Sequence, residues 1–135
     1  MNTKCLIATV AGAVVLFVAN YVVYDLLLGG FFEANSGTAT GVMKEAPQFL
    51  WIVVGQLAMG GLLATVLGWK DATNMNDGAR AGATLGALLS VAYGFTMLGT
   101  MNVSTLTSSV VDIVVAAVVM GLAGAVVGMM LGRGD

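Results

Sequence analysis

Apolar residues fall into four long runs along this chain, about 5–28, 49–67, 81–98 and 110–131, separated by shorter polar stretches. Each run is close to the ~20 residues that an α-helix needs to cross about 30 Å of hydrocarbon. Helices are expected because lipid cannot satisfy an open backbone, and the strict apolar–polar alternation of a barrel strand is absent. Pro47 precedes the second run, where its missing N–H costs nothing. Ser108 or Ser109 is placed to cap the fourth. The pattern predicts an all-α membrane protein of one domain, with four transmembrane helices in an up-down bundle.

The connections set the expected orientation. The longest, 29–46, holds Glu33, Asn35, Ser36, Lys44 and Glu45; the second, 69–78, is a polar turn with Lys70, Asp71 and Asp77; the third, 99–109, carries no charge. If the four helices alternate, Lys4, Lys70, Arg80 and Arg133 share one side and Lys44 stands on the other. The excess of Lys and Arg on cytoplasmic loops then puts both termini and the second loop in the cytoplasm. Lys4 and the apolar run after it open like a leader peptide. The run extends to Leu28 without a polar region and a small-x-small site, so an uncleaved first spanning helix is expected.

Composition agrees with the pattern and removes several functions. Of 135 residues, 59% are hydrophobic and 9% charged, against roughly a quarter charged in a soluble domain. A net charge of −2 with five Lys and Arg speaks against nucleic acid, which needs a basic patch. The absence of His removes the commonest general base and metal ligand, and Cys5, the single cysteine, allows no intrachain disulfide or zinc cluster. Phosphate-loop, nucleophile-elbow and metal-helix motifs are missing. The chain is expected not to be an enzyme and to hold no metal or other cofactor.

Two sets of residues stand out in the apolar background. Gly78, Gly82 and Gly86 are spaced by four in the third helix, Gly124, Gly128 and Gly132 in the fourth, and Ala8 with Gly12 gives a weaker version in the first. Such stripes let helix backbones approach closely, either between copies or within one bundle. The second set is Asp25 and Asp112, carboxylates inside or near spanning segments, where a charge is expensive and usually faces the bundle interior or water. In the expected orientation both lie in the outer part of the membrane. Asn20 and Tyr24 are expected on the Asp25 face, and Gln56, Tyr93, Thr96, Thr100 and Asn102 at a similar level. Together they would line an outward polar pocket for a cation, or else lie solvated at the interface. Trp51 and Trp69 flank the second helix as an aromatic belt would.

The run Tyr24-Asp25-Leu26-Leu27-Leu28-Gly29-Gly30-Phe31-Phe32, then Trp51 and Gly55, then Gly99-Thr100-Met101-Asn102 and Asp112, resembles small bacterial four-helix integral membrane families of unknown function. In those families an aromatic-rich motif ends the first helix and a Gly-rich fourth helix closes the bundle. The resemblance implies a bacterial inner (cytoplasmic) membrane location and carries no substrate. The sequence therefore predicts a small polytopic protein whose partner is the lipid bilayer. Its first expected role is structural, a subunit of a homo-oligomer or larger complex. The alternative is a small channel or transporter coupled to a cation or proton through Asp25 and Asp112; a membrane-embedded enzyme comes last.

Overall fold

The computed structural model describes residues 3–38, 40–41 and 48–133, and among these it is helical with no strand. α1 (Thr3–Asn20) runs on into a π-helical segment, Tyr21–Leu27, followed by a short helix α2 (Gly29–Ala34). Three long helices complete the chain: α3 (Phe49–Lys70), α4 (Met75–Thr100) and α5 (Leu106–Leu131). Four helices, α1 with its π extension, α3, α4 and α5, are long and apolar enough to cross a membrane. Their outward faces carry the large apolar side chains, Leu6, Val10, Val14 and Val18 on α1 and Leu50 to Val54 on α3 among them, as lipid-facing helices require. Trp51 and Trp69 are both exposed near opposite ends of α3, about 27 Å apart at 1.5 Å per residue.

The helices outlast their apolar runs. α4 begins at Met75, six residues before the run does, and α5 at Leu106, four before. With 26 residues each, both are about 39 Å long, longer than the hydrocarbon they cross. Their polar ends, such as Asn76, Asp77 and Arg80, can stay helical in the interfacial layer. Asn74 starts α4 by accepting from the Asp77 N–H at 2.8 Å, and Asp77 suits the positive end of the helix dipole. α5 is capped by Thr105, where Ser108 or Ser109 was expected. Ser108 N–H donates to Thr105 Oγ1 at 3.1 Å and Thr105 N–H to Ser108 Oγ at 2.9 Å, a reciprocal capping box. Ser108 thus serves as the third residue of the helix, the far partner of the box. α3 ends with Asp71 in the left-handed region, at φ 57°. Ala72 N–H bonds the Leu67 carbonyl there at 2.9 Å, while Ala72 and Leu67 are buried together, the hydrophobic contact that accompanies such a stop. Pro47, Lys44 and Glu45 lie outside the described residues.

Packing is uneven. α4 lies along α5, α1 packs on α3 and α5, and α3 scarcely touches α4. The α4–α5 contact is a ladder of one register. A Cβ added to Gly78 would run into the Gly124 carbonyl, one on Gly82 into the Met120 carbonyl, and one on Gly86 into the Ala116 carbonyl. Each step of four residues up α4 meets a step of four down α5, so the two helices run antiparallel with backbone against backbone. Gly128 and Gly132 continue the contact, onto the Asn74 and Thr73 carbonyls. The Gly stripes of the two helices are therefore covered by one another within a single chain. On the other side, Gly60 of α3 admits the backbone of Thr9 and Ala13. The buried core, from Ala8 and Leu16 through Leu63, Leu67, Val119 and Ala123 to Val127, lies between these two contacts.

Candidate functional site

The Gly ladder leads to a polar cluster. One step beyond Gly86–Ala116, the same register sets Ser90 opposite Asp112, and Ser90 Oγ donates to Asp112 Oδ2 at 3.1 Å. The other carboxylate oxygen, Oδ1, accepts from the Tyr24 hydroxyl. Asp112 is half-buried and Ser90 buried, so α1, α4 and α5 are tied together here through one side chain. A carboxylate offers about four acceptor positions, and these two bonds occupy two of them.

Tyr24 reaches Asp112 from the π-helical segment. Leu28 N–H bonds the Val23 carbonyl at 2.8 Å, the i→i+5 pairing that widens a helix and recurs at functional sites. In this segment Tyr24 is partly buried, while Tyr21, Asp25, Leu26 and Leu27 are exposed. The Tyr24 ring lies 5.1 Å from that of Phe32 in α2, which in turn meets Phe31 edge-on at 5.2 Å. α2 is thereby held over the end of the bundle. Gly37, at φ +80°, brings the chain against the α4–α5 loop, where a Cβ would lie 2.6 Å from the Asn102 carbonyl oxygen. The described part of the first connection thus folds over Asp112.

Two cavities meet at the Tyr24–Asp112 bond, since both residues line each of them. The upper one, about 280 Å³, lies beneath α2 and is walled by Phe32, Asn35, Gly94, Ser104 and Ser109. The hydroxyls of Ser104 and Ser109 are buried there and find no hydrogen-bond partner among the described residues. The second cavity, about 320 Å³, lies between α3 and α4, where the helices stand apart. Its polar side is Asn20, Gln56, Ser90, Tyr93 and Asp112; its apolar side includes Leu16, Met59, Leu89 and Val119. No Lys or Arg is among the described residues that line either cavity. A third cavity at the far end of the bundle brings Lys4, Trp69, Thr73 and Leu131 together.

Of the residues singled out from the sequence, Asn20, Tyr24, Gln56, Tyr93 and Asp112 come together around the lateral cavity. Asn20 Nδ2 donates to Gln56 Oε1 at 3.3 Å. Asp25 is exposed and lines neither cavity. Asn102 is exposed on the α4–α5 loop and enters through its backbone, against Gly37. Thr96 and Thr100 donate to carbonyls of their own helix, at 2.5 and 2.7 Å. Among the described residues no three His, Cys, Asp or Glu side chains are grouped to hold a metal ion. Ser90, Ser104, Ser109 and Phe32 belong to the site and had not been assigned to it from the sequence. Ser90 was nevertheless findable as the partner of Asp112, because continuing each Gly stripe by fours lands on these two residues. Compared with known protein families, with characterised proteins and with solved structures, the chain shows no match.

Proposed function

We propose that this is a small cation- or proton-coupled channel or transporter, with Asp112 as its binding group. The observation that carries the reading is the half-buried carboxylate between two cavities, with acceptor positions to spare and, among the described residues, no basic side chain lining either one. Intramembrane acids cost free energy and mark ion or proton paths by default. The Ser104 and Ser109 hydroxyls add oxygen ligands of the kind hard cations prefer. Asp25, exposed on the π segment, is not given a share in the binding step.

The competing role, a structural subunit or homo-oligomer, drew its main support from the Gly stripes, and those of α4 and α5 are engaged with each other. We place the four helices in an up-down bundle in a bacterial inner membrane, with both termini cytoplasmic. The support is the resemblance to small bacterial membrane families, the gathering of Lys4 with Trp69, Thr73 and Leu131 at one end, and the position of Lys70, Arg80 and Arg133 near that end in sequence. Catalysis is not part of the proposal.

The test is cation movement in liposomes. Wild-type protein should dissipate an imposed proton, sodium, potassium or organic-ammonium gradient, or pass one of these ions against another. Asp112→Asn, folded by circular dichroism and monodisperse in detergent, should lose at least tenfold of that rate. Equal rates for the two proteins would remove Asp112 from the mechanism, and no flux with wild type would remove the transport role.

A further inference from the structure

The two cavities at Asp112 differ in what they would admit. The upper one is capped by α2 and edged by Asn35, Ser36 and serine hydroxyls. The lateral one lies in the side of the bundle, because α3 and α4 scarcely touch. The α3 side chains around Gly55, from Leu50 to Val54 and Leu57, are exposed where lipid would lie. Its walls are mainly apolar, with a polar strip that leads to Asp112, the single carboxylate among the described residues that line it. A hydrated metal ion gains nothing from Leu16, Met59, Leu89 and Val119.

Resting on the reading that Asp112 binds a cation, we propose that its substrate is an amphiphilic organic monocation that reaches it sideways from the lipid, between α3 and α4. The charge complement is one ammonium for one carboxylate. Tyr24 and Tyr93 line the same cavity, and aromatic rings are partners that quaternary ammonium groups favour. The alkyl part lies against the apolar walls, where each buried methylene contributes to affinity. A volume of about 320 Å³ is at the small end of ligand pockets, enough for the head and the first part of a chain whose remainder stays among the lipids. With Tyr24 and Ser90 already on Asp112, an onium ion that needs no directed hydrogen bonds binds without displacing either donor.

Two glycines allow the two cavities to be filled separately. A Cβ on Gly55, in the lateral cavity, or on Gly94, in the upper one, meets nothing within 4 Å. The experiment is equilibrium binding of decyltrimethylammonium to the full chain in lipid nanodiscs, corrected with empty discs, with tetramethylammonium and sodium as chainless cations. Wild type should bind the decyl compound saturably and at least tenfold more tightly than tetramethylammonium. Asp112→Asn and Gly55→Phe should each weaken it at least tenfold, and Gly55→Phe should cost more than Gly94→Leu. Circular dichroism and gel filtration of all three variants separate lost binding from lost fold, and Gly55→Phe keeps the test alive if Asp112→Asn does not fold. If Gly94→Leu is the more damaging, or if the chain adds nothing to affinity, the lateral inference is overturned while cation binding at Asp112 stands. If no cation tells wild type from Asp112→Asn, both readings fall together.

Discussion

Gly82 and Gly94 belong to the same period-four stripe of α4 and serve opposite ends. At Gly82 the missing side chain lets α4 press onto α5, so that an added Cβ would lie 3.0 Å from the Gly124 Cα and closer still to the Met120 carbonyl oxygen. At Gly94 the same absence leaves open space, the wall of a cavity. Between them Ser90 meets Asp112. Along the ladder α4 and α5 are therefore backbone packed on backbone, and around Asp112 the helices hold polar groups and volume between them. In lipid no hydrophobic force drives helices together, so close packing must supply the association. The ladder half supplies it, and the Asp112 half can then carry groups that contribute little to stability.

The strongest way to break this comparison is to add one methyl group at each position. Gly82→Ala should lower stability by about 1–3 kcal/mol, because two backbones must separate to admit it. Gly94→Ala should be neutral or stabilise by up to about 1 kcal/mol through helix propensity. Equilibrium unfolding in mixed detergent and SDS, followed by far-UV circular dichroism, reads both. Matching midpoints for the two variants would mean that the ladder is not what holds α4 to α5.

A smaller effect is expected at the Tyr24–Asp112 bond. Tyr24→Phe and Asp112→Ala should be coupled by about 0.6 kcal/mol in a double-mutant cycle, and by no more than about 1.7, the average and the maximum for hydrogen bonds between membrane helices. The same unfolding assay measures it. Additive single effects would show that the π segment and α5 are not joined through these side chains, and the division between the two cavities would go with them.

How much of this was readable beforehand depended on which physical cause acted. Hydropathy marked all four spanning helices because lipid selects side chains over the full width of the hydrocarbon. It misplaced the start of α4, since Asn76, Asp77 and Arg80 are polar yet helical, and the choice between helix and loop at the interface is made by the Asn74 cap. Ser109 looked like a cap by its place before an apolar run, but the Thr105–Ser108 exchange satisfied the free N–H groups first. The Gly stripes announced close packing without naming the partner; the period of four, carried past the glycines, would have paired Ser90 with Asp112. Asp25 and Tyr24 could not be separated in that way. They are neighbours in sequence, and the local π geometry, with Tyr24 inward and Asp25 outward, left no mark in hydropathy. The folding of α2 over the site depends on Phe32 meeting Tyr24, a contact made in three dimensions between residues eight apart.

The finest test concerns Asn20 and Gln56, whose amide bond of 3.3 Å joins α1 to α3 beside the lateral cavity. Were these amides structural, removing them would destabilise the bundle. Replacing both partners of a hydrogen bond with apolar groups of similar size can be nearly neutral, since no donor or acceptor is left without a partner. The double variant Asn20→Leu/Gln56→Leu should therefore unfold within about 0.5 kcal/mol of wild type, while either single change costs about 1 kcal/mol by stranding the other amide. In the same proteins, ion movement through liposomes should fall even where stability does not, because the polar strip leading to Asp112 has been made apolar. A double variant that unfolds far earlier than wild type would assign these amides to packing. The contrast between a half that holds the bundle together and a half proposed to bind a cation would then have to be redrawn at Gln56.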